Sequence, residues 1–126
     1  MTARALEVRV RQQPSAAIID LHGEINAFAE EALGAAYAEA ERGNPEVILL
    51  NFSEVDYINS TGIALIVGLL ARARAARRRL LACGLSEHYV EIFTITRLAD
   101  FMTVYPNEAE ALQEVPDAPD ARTPAP

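Results

Sequence analysis

The first patterned stretch runs from Leu6 to Arg11, where Leu6, Val8 and Val10 alternate with Glu7, Arg9 and Arg11. A period of two predicts a strand with one wet face. Gln13-Pro14-Ser15 makes a turn, and the apolar run Ala16 to Leu21 predicts a second strand, paired with the first as a hairpin near a sheet edge. His22-Gly23-Glu24 comes next. From Ala27 to Arg42 the chain is rich in Ala, Glu and Leu, and Phe28, Ala32, Leu33, Ala36 and Ala40 recur at helical spacing, which predicts a first helix. Gly43 is placed to cap it in the left-handed conformation, and Pro45 bars its continuation.

Val47 to Phe52 is nearly all apolar, as a central strand buried on both faces requires. A loop from Ser53 to Ile58 is expected next. Asn59-Ser60-Thr61-Gly62 then opens a helix from Ser60 to about Arg78, since Asn and Ser are favoured N-caps and Leu65, Ile66, Leu69, Leu70 and Ala73 share one face. Leu80 to Cys83 makes another strand, closed by Gly84, and Ser86 caps a third helix from Glu87 to about Thr96. Phe101 to Tyr105 reads as a last strand, and Asn107 caps a last helix with Glu110 three residues on.

This order predicts an α/β fold: a mixed sheet of about five strands with about four helices, and right-handed crossovers linking its parallel part. Sites in such sheets lie beyond the C-terminal ends of the strands, where the loop Ser53 to Thr61 leaves the central one. One domain is expected over residues 1–114. Four of the seven prolines fall in residues 115–126 with no apolar pattern, so this Pro-, Ala- and Asp-rich tail is expected to be disordered.

Composition narrows the function. The chain has 126 residues, 51% of them hydrophobic and 23% charged, enough apolar surface for a single core. Its longest apolar run, Ile63 to Ala71, falls far short of the roughly 20 residues that span a bilayer, and no apolar stretch precedes Glu7, so a cytoplasmic protein with no membrane insertion is expected. A net charge of −7 argues against nucleic-acid binding. Arg72, Arg74, Arg77, Arg78 and Arg79 form one basic cluster, read as a solvated helix end suited to the dipole, with a docking patch for an acidic partner as the alternative.

Motifs for catalysis are missing. The chain has no lysine and therefore no phosphate-cradling Gly-x-x-x-x-Gly-Lys loop, and no Gly-x-Ser-x-Gly elbow surrounds any serine. His22, His88 and the single Cys83 lack the paired spacing of a zinc site, and Cys83 reads as a small apolar residue of a strand. Glu24 and Asp56 are a conceivable carboxylate pair for acid–base work, but nothing in the sequence places them together. No enzyme, metal or cofactor is expected.

Three segments carry a resemblance. Leu21-His22-Gly23-Glu24-Ile25-Asn26 is similar to a Gly-Glu-(Leu/Ile)-Asp segment, Asn59-Ser60-Thr61-Gly62-Ile63 to an Asp-Ser-(Ser/Thr)-Gly-Leu motif, and Leu85 to Leu98 to a third-helix segment. Together, and in this order, they resemble the STAS domain family, in particular the bacterial anti-sigma factor antagonists, over about Leu6 to Leu112. The resemblance implies a partner-switching regulator of transcription that binds an anti-sigma factor with serine-protein kinase activity and frees the sigma factor. It implies phosphorylation at Ser60, with Thr61 second to it, release of the antagonist on phosphorylation, and a phosphatase that resets it. The partner surface it implies includes Glu24, Asn26, Asn59, Ser60, Thr61 and Gly62. Asn26 and Asn59 replace two aspartates of the family pattern, and Arg97 stands where many members have glycine. The alternative is a STAS subunit of a signalling assembly, or of a lipid- or anion-transport complex, that binds a partner without being switched.

Overall fold

Alternation along the strands assigns each side chain to one of two sheet faces, and the computed structural model, which describes residues 5–113 and 115, shows both covered by helix. The strands are β1 (Glu7–Gln13), β2 (Ala16–Ile25), β3 (Val47–Ile58), β4 (Arg79–Cys83) and β5 (Thr103–Tyr105). The helices are α1 (Glu30–Glu41), α2 (Ser60–Ala75), α3 (Glu87–Ile95) and α4 (Glu108–Leu112), with single 3-10 turns at Ala27–Ala29 and Leu98–Asp100. Among the described residues the sheet order is β1-β2-β3-β4-β5, antiparallel at the β1–β2 edge and parallel elsewhere. This is the mixed α/β architecture the element order predicts.

On one face Ala17, Ile19, Leu21, Ile48, Leu50, Phe52, Leu80 and Ala82 meet the apolar sides of α1, α2 and α3 in the main core. On the other, Ala16, Ile18, Val47, Leu49, Leu81 and Cys83 form a smaller core with Ala111 of α4. The unbroken apolar run in β3 has its cause here, because successive residues enter different cores. Cys83 is fully buried there, the small apolar strand residue its sequence context predicts.

Several boundaries differ from expectation, each for a structural reason. Ser53–Ile58 is strand rather than loop: β2 runs on to Ile25 and gives these residues a parallel partner from His22↔Glu54 to Ile25↔Ile58, with register shifts on either side of His22 and Gly23. The segment Ala27–Glu41 is a 3-10 turn followed by a helix, and Phe28, counted in the helical stripe, is 94% exposed while Tyr37 fills the core instead. Asn44 (φ 51), not Gly43, takes the left-handed conformation after α1. Helix α2 stops at Ala75, and Arg77 (φ 61) turns the chain into β4. The last strand begins at Thr103 because Leu98–Asp100 forms a 3-10 turn. Residues 116–126, the bulk of the expected disordered tail, lie outside the described residues.

The arginine cluster is partly engaged. Arg72 lies over the Tyr37 ring at 4.4 Å and reaches Glu41 at 3.2 Å, while Arg78 donates to the Pro45 carbonyl at 2.6 Å. These contacts tie the end of α2 to α1 and to the start of β3.

Candidate partner-binding site at the ends of β2 and β3

Parallel pairing brings the C-terminal ends of β2 and β3 side by side, and each strand runs into an asparagine that caps a turn of helix. The Asn26 Oδ1 accepts the N–H of Phe28 at 2.9 Å and closes the 3-10 turn. The Asn59 Oδ1 accepts the N–H of Gly62 at 2.8 Å, and its carbonyl accepts the N–H of Ile63 at 2.9 Å, which starts α2. A side-chain oxygen in this position satisfies one of the four amides that a helix start leaves without an intrahelical partner.

The two segments are locked together. Asn59 donates its N–H to the Ile25 carbonyl at 3.2 Å. Gly62 lies so close that a Cβ there would stand 2.1 Å from the Ile25 oxygen, so only glycine fits. From α3, the Tyr89 hydroxyl holds the Ile58 backbone, accepting its N–H at 2.9 Å. The first turn of α2 therefore has little freedom to shift against the sheet.

Ser60 and Thr61 are exposed on this fixed turn. Both Asn and Ser are suited to capping by residue type, and the structure gives the cap to Asn59 and puts Ser60 at the first helical position. The Ser60 hydroxyl is thus presented to solvent at the positive pole of a 16-residue helix. Glu24, Asn26, Asn59, Ser60, Thr61 and Gly62 all fall within these two segments, with Glu24 half-buried and paired in register with Tyr57. Two residues outside the expected site set help to build it: Ile25 through its carbonyl and Tyr89 through its hydroxyl.

The chain matches the STAS domain over residues 7–111. It belongs to the STAS domain family. A relative of this STAS domain is the anti-sigma-B factor antagonist of Listeria monocytogenes, 30% identical over 88 residues that cover 70% of this chain and 77% of that one. The fold is also that of an anti-sigma factor antagonist from Mycobacterium paratuberculosis, with TM-score 0.71 and 19% identity over 88% of this chain and 94% of the other. The phosphorylated form of the Bacillus cell fate determinant SpoIIAA superposes with TM-score 0.66 and 23% identity, over 86% and 98% of the two chains. The first two of these relatives are named as anti-sigma factor antagonists. Among the described residues of this STAS domain, no helix is long and apolar enough to cross a membrane, and no cluster of ligating side chains is arranged to hold a metal ion.

Proposed function

We propose that this STAS domain is an anti-sigma factor antagonist of the cytoplasm, switched by phosphorylation of Ser60. The observation that carries the reading is the exposed Ser60 on a helix start that Asn59, Gly62 and Tyr89 hold rigid. Unphosphorylated, the surface at the ends of β2 and β3 binds an anti-sigma factor that is also a serine kinase, and the sigma factor is freed. A phosphoryl group on Ser60 adds about −1.5 to −2 charges at pH 7. The helix N-terminus accommodates that charge within the domain. An apolar or acidic partner surface does not, so the complex is lost while the fold survives. A phosphatase then returns the domain to its binding form.

A second reading has one observation in its favour. With Asn26 and Asn59 as the two caps, the carboxylates of the family pattern are missing beside Ser60. A domain without them can serve as a constitutive binding subunit of a signalling or transport assembly.

The two readings separate on incubation of the full chain with ATP and each purified anti-sigma serine kinase of the source genome, followed by mass spectrometry. The switch expects one phosphoryl group at Ser60, absent from Ser60→Ala, and loss of kinase binding once it is added. Partner binding with no modification by any of these kinases would establish the constitutive reading instead.

A further inference from the structure

We propose that Phe28 is the apolar anchor with which this domain seats in a pocket of its anti-sigma factor. The inference rests on the antagonist reading above and names the residue through which it works.

Phe28 is 94% exposed, more than any other large apolar side chain described; Ile95 is next at 70% and Phe101 third at 56%. Phe101 is sheltered by the Arg74 guanidinium, 5.2 Å from its ring. A phenylalanine in a loose loop would turn inward to escape water. Phe28 is held from doing so. Its N–H is tied to the Asn26 Oδ1, the Ala29 N–H to the Asn26 carbonyl at 2.9 Å, and Ile25 and Ala29 on either side are buried in the main core. The turn therefore carries the ring outward on a fixed backbone, and an anchor ordered in advance loses less entropy when it docks.

The same turn packs against α2, and Ile25 just before it is bonded to Asn59 and crowded against Gly62. Phe28 and Ser60 thus stand on two segments held side by side, three residues beyond Ile25 and one beyond Asn59, and both are exposed. A partner whose pocket takes Phe28 and whose surface extends to the start of α2 also desolvates whatever Ser60 carries. A hydroxyl tolerates that and a phosphate dianion does not. One contact thereby supplies both the affinity and its sensitivity to modification.

The test is calorimetric titration of the full chain with each purified ATP-binding anti-sigma factor of the source genome, using Phe28→Ala and, as a control on a distant exposed ring, Phe101→Ala. Truncating an anchor of this kind lowers affinity by about 30-fold or more. That loss is expected for Phe28→Ala at unchanged melting temperature, against less than about threefold for Phe101→Ala. Wild-type binding with Phe28→Ala within threefold overturns the anchor and leaves the antagonist reading standing. Wild-type binding to none of these proteins overturns both.

Discussion

The phenolic oxygen of Tyr89 engages both backbone polar groups of Ile58, accepting its N–H at 2.9 Å and donating to its carbonyl at 3.3 Å. Ile58 is the last residue of β3 and the one before the Asn59 cap, so α3 helps to hold the strand end from which α2 starts. Both groups are buried, and removing one hydroxyl leaves them without that partner. Tyr89→Phe is expected to cost about 1–3 kcal/mol, measured by urea denaturation. Amide exchange at Ile58 should accelerate beyond the global change, and an unaltered exchange rate would show that the hydroxyl holds nothing.

Gly62 and Gly68 lie on the same helix and predict opposite signs. An added Cβ at Gly62 meets the Ile25 carbonyl oxygen at 2.1 Å and its carbon at 2.8 Å, both backbone atoms that cannot swing aside. Gly62→Ala is expected to lose about 2–3 kcal/mol through overpacking and displacement of the α2 start. At Gly68 nothing lies within 4 Å of the added carbon. Gly68→Ala should gain about 0.5–1 kcal/mol from helix propensity alone. Denaturation curves of the two variants check both signs.

The cap at Asn59 and the proposed switch at Ser60 occupy adjacent residues and can be separated. Asn59→Ala removes the oxygen that accepts the Gly62 N–H and should cost about 1 kcal/mol. Asn59→Asp keeps that oxygen, restores the family's carboxylate and places a negative charge at the helix N-terminus, a gain of about 0.3–1 kcal/mol at low salt. Ser60→Ala touches neither cap nor core and should stay within about 0.5 kcal/mol of wild type. A large loss in Ser60→Ala would mean that the serine is a structural residue after all.

Local periodicity made most of this fold legible. The two-residue alternation in Leu6–Arg11, the doubly apolar Val47–Phe52 and the cap signals at Asn59, Ser86 and Asn107 place the main strands and helices in order. The features that stayed hidden depend on partners distant in sequence. Ser53, Glu54 and Asp56 look like loop, and become strand only because β2 extends alongside them. Phe28 fits a helical stripe, and is turned out by a cap two residues before it. Of the candidate site, the family motifs single out Asn26, Asn59 and Ser60, whereas the Tyr89 hydroxyl acts on a residue 31 positions away. No local pattern reports such a contact.

The face under α4 carries a polar clamp whose strength depends on pH. Arg11 binds Asp20 through two hydrogen bonds of 2.7 and 2.8 Å and Glu108 through two of 3.1 and 2.7 Å, so β1, β2 and α4 share one guanidinium. The hydrogen bonds from Arg11 hold the Asp20 carboxyl below its ordinary range, with a further one from Asn51 acting the same way. A depressed carboxyl stabilises the fold fully above its unfolded value, near 3.9, and loses that contribution as the pH falls through its lower folded value. With about 30% of each side chain accessible, Arg11→Met is expected to cost about 1–2 kcal/mol at pH 7. Its deficit against wild type should shrink below about pH 4, since acid removes the same interaction. Cys83 reports the clamp from beneath: it is fully buried beside Ala111, and burial raises its thiol to about 11. A raised thiol gives stability that is complete below its unfolded value and is lost as the pH climbs toward 11, so Cys83→Ala should flatten the alkaline limb. At pH 8 a thiol reagent should label native Cys83 slowly and Arg11→Met faster, because α4 opens more often without its guanidinium. Equal labelling rates would show that the smaller core, rather than the ion cluster, keeps α4 in place.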